Sequence, residues 1–237
     1  MHSANSVAAT VPHAAHLDPR LTTEEVTMTK ALALVGASVA LVGSTGAVLV
    51  RSHGDVGRPP VRQIRDLSLE FVGQFQNSPP GVTPATHIHY GYVSYIRGTS
   101  AFKGAPPNET TALFTFFADA TTLRVIANGP LRIVTRVGKL TIYRDPSTNG
   151  DFAKPESFRD GKPVLVARFR QEVVNNTVTG SFATFHQNTI VSTRRFALGR
   201  GRFRLGRVGE AFRTYFSGHG NMPGPPSGFF GGYAVSG

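Results

Sequence analysis

Two histidines separated by one residue, His87 and His89, form the spacing in this chain that most directly suggests chemistry. Side chains two positions apart on a β-strand project from the same face, so both imidazoles could bind one metal ion. His186 and His219 lie on later predicted strands and could complete a ligand set. The spacing is equally compatible with ordinary polar histidines on the face of a strand.

The residues after the histidines weigh against a metal site. The cupin pattern needs a glutamate a few residues after the H-x-H pair, whereas Tyr90-Gly91-Tyr92-Val93 follows here. Thiolate ligands are excluded because the chain has no cysteine, which also removes disulfides and cysteine nucleophiles. We therefore predict no metal and no cofactor, and a stability that does not depend on metal.

The same strand carries two tyrosines on the other parity. Tyr90 and Tyr92 lie at even-numbered positions, as do Ile88 and Ile96, and side chains at such positions point to the same face of a strand. The two isoleucines are β-branched apolar residues that favour burial. This pattern predicts that Tyr90 and Tyr92 face the interior. The two histidines are then predicted to face solvent or a neighbouring subunit.

Other catalytic signatures are absent from the sequence. Most carboxylates after residue 65 fall at turns, and the two within strands, Glu70 and Glu172, have an outward parity. No G-x-S-x-G elbow marks a serine hydrolase, and no glycine-rich phosphate loop is present. No residue is therefore assigned a catalytic role.

An arginine-rich tract at residues 194–213 is the second chemical feature. It holds seven arginines in a chain of net charge +11, which would attract polyanionic partners but is equally typical of a solvated basic face with no dedicated partner. Phe203 and Leu205 alternate with arginines, which predicts aromatic residues in the core and guanidinium groups outside. An anionic membrane or cell-wall polymer fits this face better than nucleic acid, which needs exposed aromatics for stacking. The predicted anion-binding residues are Arg194, Arg195, Arg202 and Arg204.

Alternating apolar and polar residues from residue 66 onward indicate the scaffold that positions these groups. About ten short strands, separated by glycine, proline and asparagine turns, are typical of a barrel or sandwich. We predict an all-β domain, a single antiparallel β-barrel of about eight to ten strands. Its expected shape is calycin-like or allene-oxide-cyclase/dirigent-like, although the Gly-x-Trp signature of typical lipocalins is missing because the chain has no tryptophan. The longest loop, Asp145–Lys162, is a candidate lid or mouth element.

The N-terminal region is predicted to direct the domain out of the cytoplasm. Residues 1–27 are a disordered extension or precede the true start, and residues 28–50 form a signal peptide or transmembrane anchor helix. Cleavage would leave a chain that begins near Val48. An anchor could place the domain on either side, since arginines follow the segment. Residues 51–65 form a Pro/Arg linker, and residues 66–237 form the barrel.

The predicted function is binding of a small apolar or aromatic molecule inside an extracytoplasmic, secreted or membrane-anchored barrel. The same aromatic residues could also simply fill the core. One alternative is a barrel enzyme that cyclises or isomerises a hydrophobic substrate, and another is a basic envelope adhesion or scaffold module. The oligomeric state is left open. The predicted ligand-binding residues are Tyr90, Tyr92, Phe71, Phe114, Phe116, Phe182 and Phe216.

Overall fold

Eleven β-strands and one 3₁₀ helix make up the described part of the chain. The computed structural model describes residues 60–220 and 227–236. Within these residues, no helix has the length and apolar character needed to cross a membrane. The predictions for residues 1–27 and 28–50, and for the linker up to residue 59, lie outside the described residues. The strands are β1 (Val61–Ile64), β2 (Ser68–Asn77), β3 (Thr86–Ile96), β4 (Phe114–Asn128), β5 (Leu131–Arg144), β6 (Lys162–Asn176), β7 (Ser181–Thr193), β8 (Phe196–Leu198), β9 (Gly201–Leu205), β10 (Ala211–His219) and β11 (Gly228–Ser236).

Eight of these strands close into an antiparallel barrel in the order β10-β11-β2-β3-β4-β5-β6-β7. The predicted all-β antiparallel barrel is therefore confirmed. The three remaining strands form a small sheet in the order β1-β9-β8, in which β1 and β9 are parallel. Strand β1 lies within the predicted linker, where the Pro/Arg composition shows no apolar alternation.

The long strands β4 and β5 each contain a feature that would mark a turn in the sequence. The pairing of β4 with β5 shifts register between Thr122 and Arg124, and β5 continues through Gly138. A turn-like residue within a strand can thus mark an irregularity rather than an end.

One end of the barrel is filled by apolar side chains. Phe196, Phe203 and Leu205 of the small sheet are buried in the same cluster as the barrel residues. The ring of Phe196 lies 5.3 Å from that of Phe114. The connections β2–β3, β4–β5 and β6–β7 lie at the opposite end, as the antiparallel pairing requires. The interior cavity described below lies towards that opposite end.

Two inward-facing glycines make room for the aromatic rings of the interior. A Cβ atom on Gly73 would lie 2.8 Å from the Phe230 ring and 2.9 Å from the Phe116 ring. A Cβ atom on Gly138 would lie 2.6 Å from the Phe169 ring. Without side chains at these positions, large rings can occupy a barrel of only eight strands.

The loop between β5 and β6 packs on the outer wall of the barrel. Phe158, in the 3₁₀ helix Pro155–Phe158, is buried with Tyr90 and Phe117 in a second apolar cluster. The Tyr90 hydroxyl donates a hydrogen bond to Gln74 Oε1 at 3.1 Å. No residue of this loop lines the interior cavity described below. The prediction that the loop is a lid or mouth element is therefore wrong, because its phenylalanines cover the outer face of β3 and β4.

Candidate functional site

The barrel interior contains a cavity of about 110 Å³ towards the end opposite the small sheet. Aromatic rings of Phe75 and Phe182 form part of its wall, and His87, His89 and Arg136 form another part. The cavity wall therefore combines apolar surface with hydrogen-bonding groups, as ligand-binding pockets commonly do.

A wider depression of about 470 Å³ shares part of its wall with the cavity. We call this depression the vestibule. Asn77, Val134, Arg136 and Asn175 line both spaces, so these residues lie where the two spaces meet. An apolar cavity of about 150 Å³ holds one benzene molecule. A molecule larger than that must therefore extend from the inner cavity into the vestibule.

Strand register places the polar residues of the interior at neighbouring positions. Arg136 on β5 pairs with Gln171 on β6, Gln171 pairs with His186 on β7, and His186 pairs with Thr214 on β10. We call these four residues the polar ring. Their side chains alternate with exposed residues such as Arg170 and Glu172, so the period-2 geometry of the strands directs them inward.

His87 and His89 join this interior from β3. The register pairs His87 with Asn77 and His89 with Phe75. The two side chains are 4% and 3% exposed, and the His89 ring lies 5.2 Å from that of Phe230. The histidine pair is therefore buried among the aromatic side chains of the barrel.

Hydrogen bonds determine the tautomers of the histidine pair. Asn77 Oδ1 can only accept, so His87 Nδ1 donates to it at 2.7 Å. The neutral His87 ring then accepts at Nε2 from His89 Nε2, 2.8 Å away. His89 Nδ1 is left with a free lone pair, and it has no hydrogen-bond partner among the described residues. The chain Asn77–His87–His89 thus presents one unused acceptor in the interior.

Burial keeps the three interior histidines neutral. Desolvation lowers the pKa of His87 and of His89 well below the ordinary value of 6.5. Desolvation followed by the charge of Arg136 lowers the pKa of His186 to about 3. At neutral pH these side chains act as neutral hydrogen-bonding groups.

Arg136 is the charged residue of the cavity wall. Burial lowers its pKa to about 10, which leaves the guanidinium group charged at neutral pH. Its Nε atom donates to Thr122 Oγ1 at 3.4 Å. The ion pairs found among residues 60–220 and 227–236 are Lys154–Asp151, Arg159–Glu156 and Arg207–Glu210. Arg136 therefore has no carboxylate partner in this part of the chain.

The face assigned to Tyr90 and Tyr92 from the sequence is wrong. His87 and His89 line the cavity, whereas Tyr90 belongs to the outer cluster beneath Phe158. The pairing of β2 with β3 shifts register between Glu70 and Phe71. Because of this irregularity, the side chains of Ile96 and Ile88 point to opposite faces of the strand. Tyr90 is buried beneath the β5–β6 loop, and Ile88 is partly buried against the same outer cluster. Neither side chain lies inside the barrel.

The other predicted ligand-binding residues divide between the filled core and the cavity. Phe182 lines the cavity. Phe71, Phe114, Phe116 and Phe216 are buried in the main core cluster, and none of these four lines the cavity. The interior is therefore filled in one part and open in another.

The predicted anion-binding arginines lie away from the cavity, in the segment that connects β7 to β10. Arg194 and Arg195 are exposed, whereas Arg202 and Arg204 on β9 are half-buried. Phe203 and Leu205 are buried between them, as the alternation predicted. A surface role for these arginines is thus separate from any role of the interior.

The histidines do not form a metal site in the described residues. No group of three or more histidine, aspartate or glutamate side chains there is arranged to hold a metal ion. The two Nε2 atoms of the histidine pair hydrogen-bond to each other.

Arg136 and Gln171 are two interior residues that sequence reasoning missed. Both occur in strands whose exposed faces also carry polar or charged residues, so side-chain polarity alone does not distinguish them. A usable signal was present in β5, where Arg136 shares parity with Leu140 and Ile142, which are both buried.

Comparison with known proteins identifies no family for this chain. No family model matches it, and neither a curated protein nor a solved structure is found to be similar to it. The geometry of the site is therefore the basis for a functional proposal.

Proposed function

We propose that the barrel binds a small organic molecule in the inner cavity and the adjoining vestibule. The observation that carries this proposal is the open, mixed wall of the cavity, in which Phe75 and Phe182 lie beside Arg136 and the histidine pair. Aromatic walls bind apolar or aromatic groups, and a few fixed polar groups give orientation and specificity. The apolar end of the barrel supplies a rigid scaffold on which this site is built.

Unused hydrogen-bonding atoms support the same proposal. His89 Nδ1 and Gln171 Oε1 are buried and have no hydrogen-bond partner among the described residues. Buried polar groups are normally paired, and leaving one unpaired costs about 1–3 kcal/mol. The Gln171 side chain lines the cavity, so a bound molecule that reorients its amide group and donates a hydrogen bond to it would remove part of this cost.

Native mass spectrometry of the protein purified from its own cells tests this function. We expect the wild-type barrel to carry a small-molecule adduct. Val134→Trp, at the junction of cavity and vestibule, should abolish the adduct by filling the entrance. Val137→Trp is the matched control, because Val137 lies on the same strand and is 37% exposed on the outer face. A wild-type protein without any adduct, or an adduct that persists in Val134→Trp, contradicts the proposal.

The same mass spectrum tests an extracytoplasmic location, which we propose from the sequence of residues 28–50 alone. A cleaved signal peptide predicts a mature chain that begins near Val48. A retained anchor predicts the intact mass and recovery from the membrane fraction. An intact chain in the cytosolic fraction contradicts both alternatives.

A second candidate function, isomerisation or cyclisation of the bound molecule, is favoured by the histidine pair. Asn77 and His87 fix the tautomer of His89 and leave the Nδ1 lone pair free. A reorientation of the His89 ring that turns the buried Nδ1 atom towards the cavity would let it take a proton from one atom of the substrate and return it to another, which requires no external reactant. The lowered pKa of His89 keeps the lone pair available at neutral pH.

Turnover of the retained molecule distinguishes carriage from catalysis. If the barrel is an enzyme, incubation with the wild-type protein should convert that molecule or its precursor to an isomer detectable by chiral chromatography. His89→Gln should reduce this rate at least about 100-fold, as expected for loss of a general base, while binding persists. His219→Gln, at an exposed position, should leave the rate unchanged. Recovery of the molecule unaltered from the wild-type protein contradicts the enzymatic candidate.

A further inference from the structure

We infer that the ligand of the barrel is an organic monoanion whose carboxylate binds Arg136 at the junction of the inner cavity and the vestibule. This inference rests on the proposed function and specifies the chemical class of the ligand. It changes the expectation from a purely apolar or aromatic molecule to an amphipathic acid.

The first argument is the environment of the Arg136 guanidinium group. It is partly buried in the wall of the cavity, and its one hydrogen bond to a described residue is the 3.4 Å contact of Nε with Thr122. Buried charges in proteins are normally paired. The nitrogen atoms at the end of this side chain therefore form a binding site for an anion that the barrel itself does not supply.

The second argument is the charge of the surroundings. Among the described residues, no aspartate or glutamate lies in the wall of the cavity or of the vestibule. Arg132 adds a second positive charge to the vestibule wall. The charge of Arg136 also acts on the interior histidines, because it contributes to the lowered pKa of His87, His89 and His186. The field in the cavity thus favours an anion and disfavours a cation.

The third argument concerns the type of anion. One guanidinium group offers two parallel N–H donors that match the two oxygens of a carboxylate. It balances a single negative charge, whereas a phosphate dianion needs further cations near it. Among the inner cavity residues described, Arg136 is the only arginine or lysine, and Arg132 on the vestibule wall is exposed to solvent. A carboxylate therefore fits this site better than a phosphate group does.

The dimensions and the apolar walls define the rest of the ligand. Arg136 lines both the 110 Å³ cavity and the 470 Å³ vestibule, so a carboxylate bound there can be attached to a group on either side. Phe75 and Phe182 flank the inner cavity and are suited to one aromatic ring or a short alkyl group. The Gln171 side chain also lines the inner cavity, and a reorientation of its amide group would bring the buried Oε1 atom within reach of a ligand hydroxyl group.

A pair of isosteric probes tests the inference. Phenylacetate and phenylacetamide have nearly the same shape but differ in charge, and saturation-transfer NMR titration measures binding of each to the wild-type protein. We expect phenylacetate to bind at least about tenfold more tightly than the amide. Arg136→Gln should weaken phenylacetate binding at least about tenfold, as expected for loss of a hydrogen-bonded charge, and leave the amide unaffected. Arg170→Gln is the matched control, because Arg170 is exposed on the neighbouring strand.

Thermal unfolding of the ligand-free proteins supplies an independent measurement. Arg136→Met removes a poorly paired charge from the cavity wall, so we expect its melting temperature to rise by a few degrees. A purely structural role for Arg136 predicts a fall instead. Arg136→Lys keeps the charge and should retain tighter binding of phenylacetate than Arg136→Gln does, even if the glutamine variant is unstable.

The possible outcomes separate the inference from the function on which it rests. Equal affinity for the acid and the amide, or unchanged binding of phenylacetate to Arg136→Gln, would overturn the anionic ligand while leaving the binding function intact. Failure of both probes to bind the wild-type protein at millimolar concentration, together with an absent adduct in native mass spectrometry, would overturn the binding function itself.

Discussion

Lowering the pH from 7.5 to 5.0 is expected to destabilise the protein by several kcal/mol, because three histidines are buried in the barrel in their neutral form. In the unfolded chain, each histidine takes up a proton as the pH falls through about 6.5. In the folded barrel, desolvation lowers the pKa of His87 and His89 well below this value, and that of His186 to about 3. Unfolding therefore takes up protons below pH 6.5.

The sign and the size of this effect follow from proton linkage. The stability is fully present above pH 6.5 and is lost progressively as the pH falls towards the folded-state values. For His186 alone, pH 5.0 lies 1.5 units below the unfolded value, which corresponds to about 2 kcal/mol. His87 and His89 act in the same direction, and the charge of Arg136 opposes protonation of all three.

Urea unfolding at pH 7.5, 6.0 and 5.0 measures this effect above the range in which most carboxylates titrate. His186→Gln should lose about 2 kcal/mol less than the wild type over this interval, because glutamine does not titrate. His219→Gln changes an exposed histidine on β10 and should follow the wild type. Equal losses in the wild type and in His186→Gln would show that His186 is protonated in the folded barrel.

The histidine pair shows both what the sequence predicted and where it failed. The H-x-H spacing correctly indicated two imidazoles on one face of a strand, which is β3. The spacing does not specify which face is inside. Ile88 and Ile96, at positions of the same alternation, predict that the tyrosine face is inside. A register shift in the β2–β3 pairing instead places these two isoleucines on opposite faces of β3.

The outer cluster explains why the sequence pattern places Tyr90 inside the barrel. Tyr90 is fully buried, as the sequence suggested for an apolar face, but a distant loop covers it. Phe152 and Phe158 provide this cover, and their rings lie 6.2 Å and 5.7 Å from that of Tyr90. Alternation along a strand predicts that a side chain is buried. It does not predict which part of the chain covers that side chain, because the covering residues are distant in sequence.

The polar ring was harder to predict than the barrel. An all-β domain of short antiparallel strands is indicated by alternation, turn residues and domain size, which are local or additive properties. Arg136, Gln171, His186 and Thr214 come from four strands and meet only through register. A shift of one residue in any strand would turn its member of the ring to the outer face.

Replacing Phe216 with alanine is expected to destabilise the barrel by about 3–5 kcal/mol, the usual cost of removing a large buried aromatic side chain. Phe216 is 2% exposed, and its ring lies 4.7 Å from that of Phe230 and 5.5 Å from that of Phe71. It also lies 5.1 Å from the ring of His186. This ring therefore joins the filled core to the histidines of the interior.

Phe216→Ala should also disturb the interior histidines. The substitution therefore tests whether the aromatic core supports the polar ring. A void of about 10 Å³ already lies between Phe216, His89 and His186, so the lost ring would enlarge a space directly beside both histidines. Phe185→Ala on β7, where the side chain is 51% exposed, should cost under about 1 kcal/mol and serves as the control. Chemical denaturation of both variants at pH 7.5 measures the difference. Similar losses of unfolding free energy in the two variants would show that Phe216 does not support the interior, and that the polar ring is held by strand pairing alone.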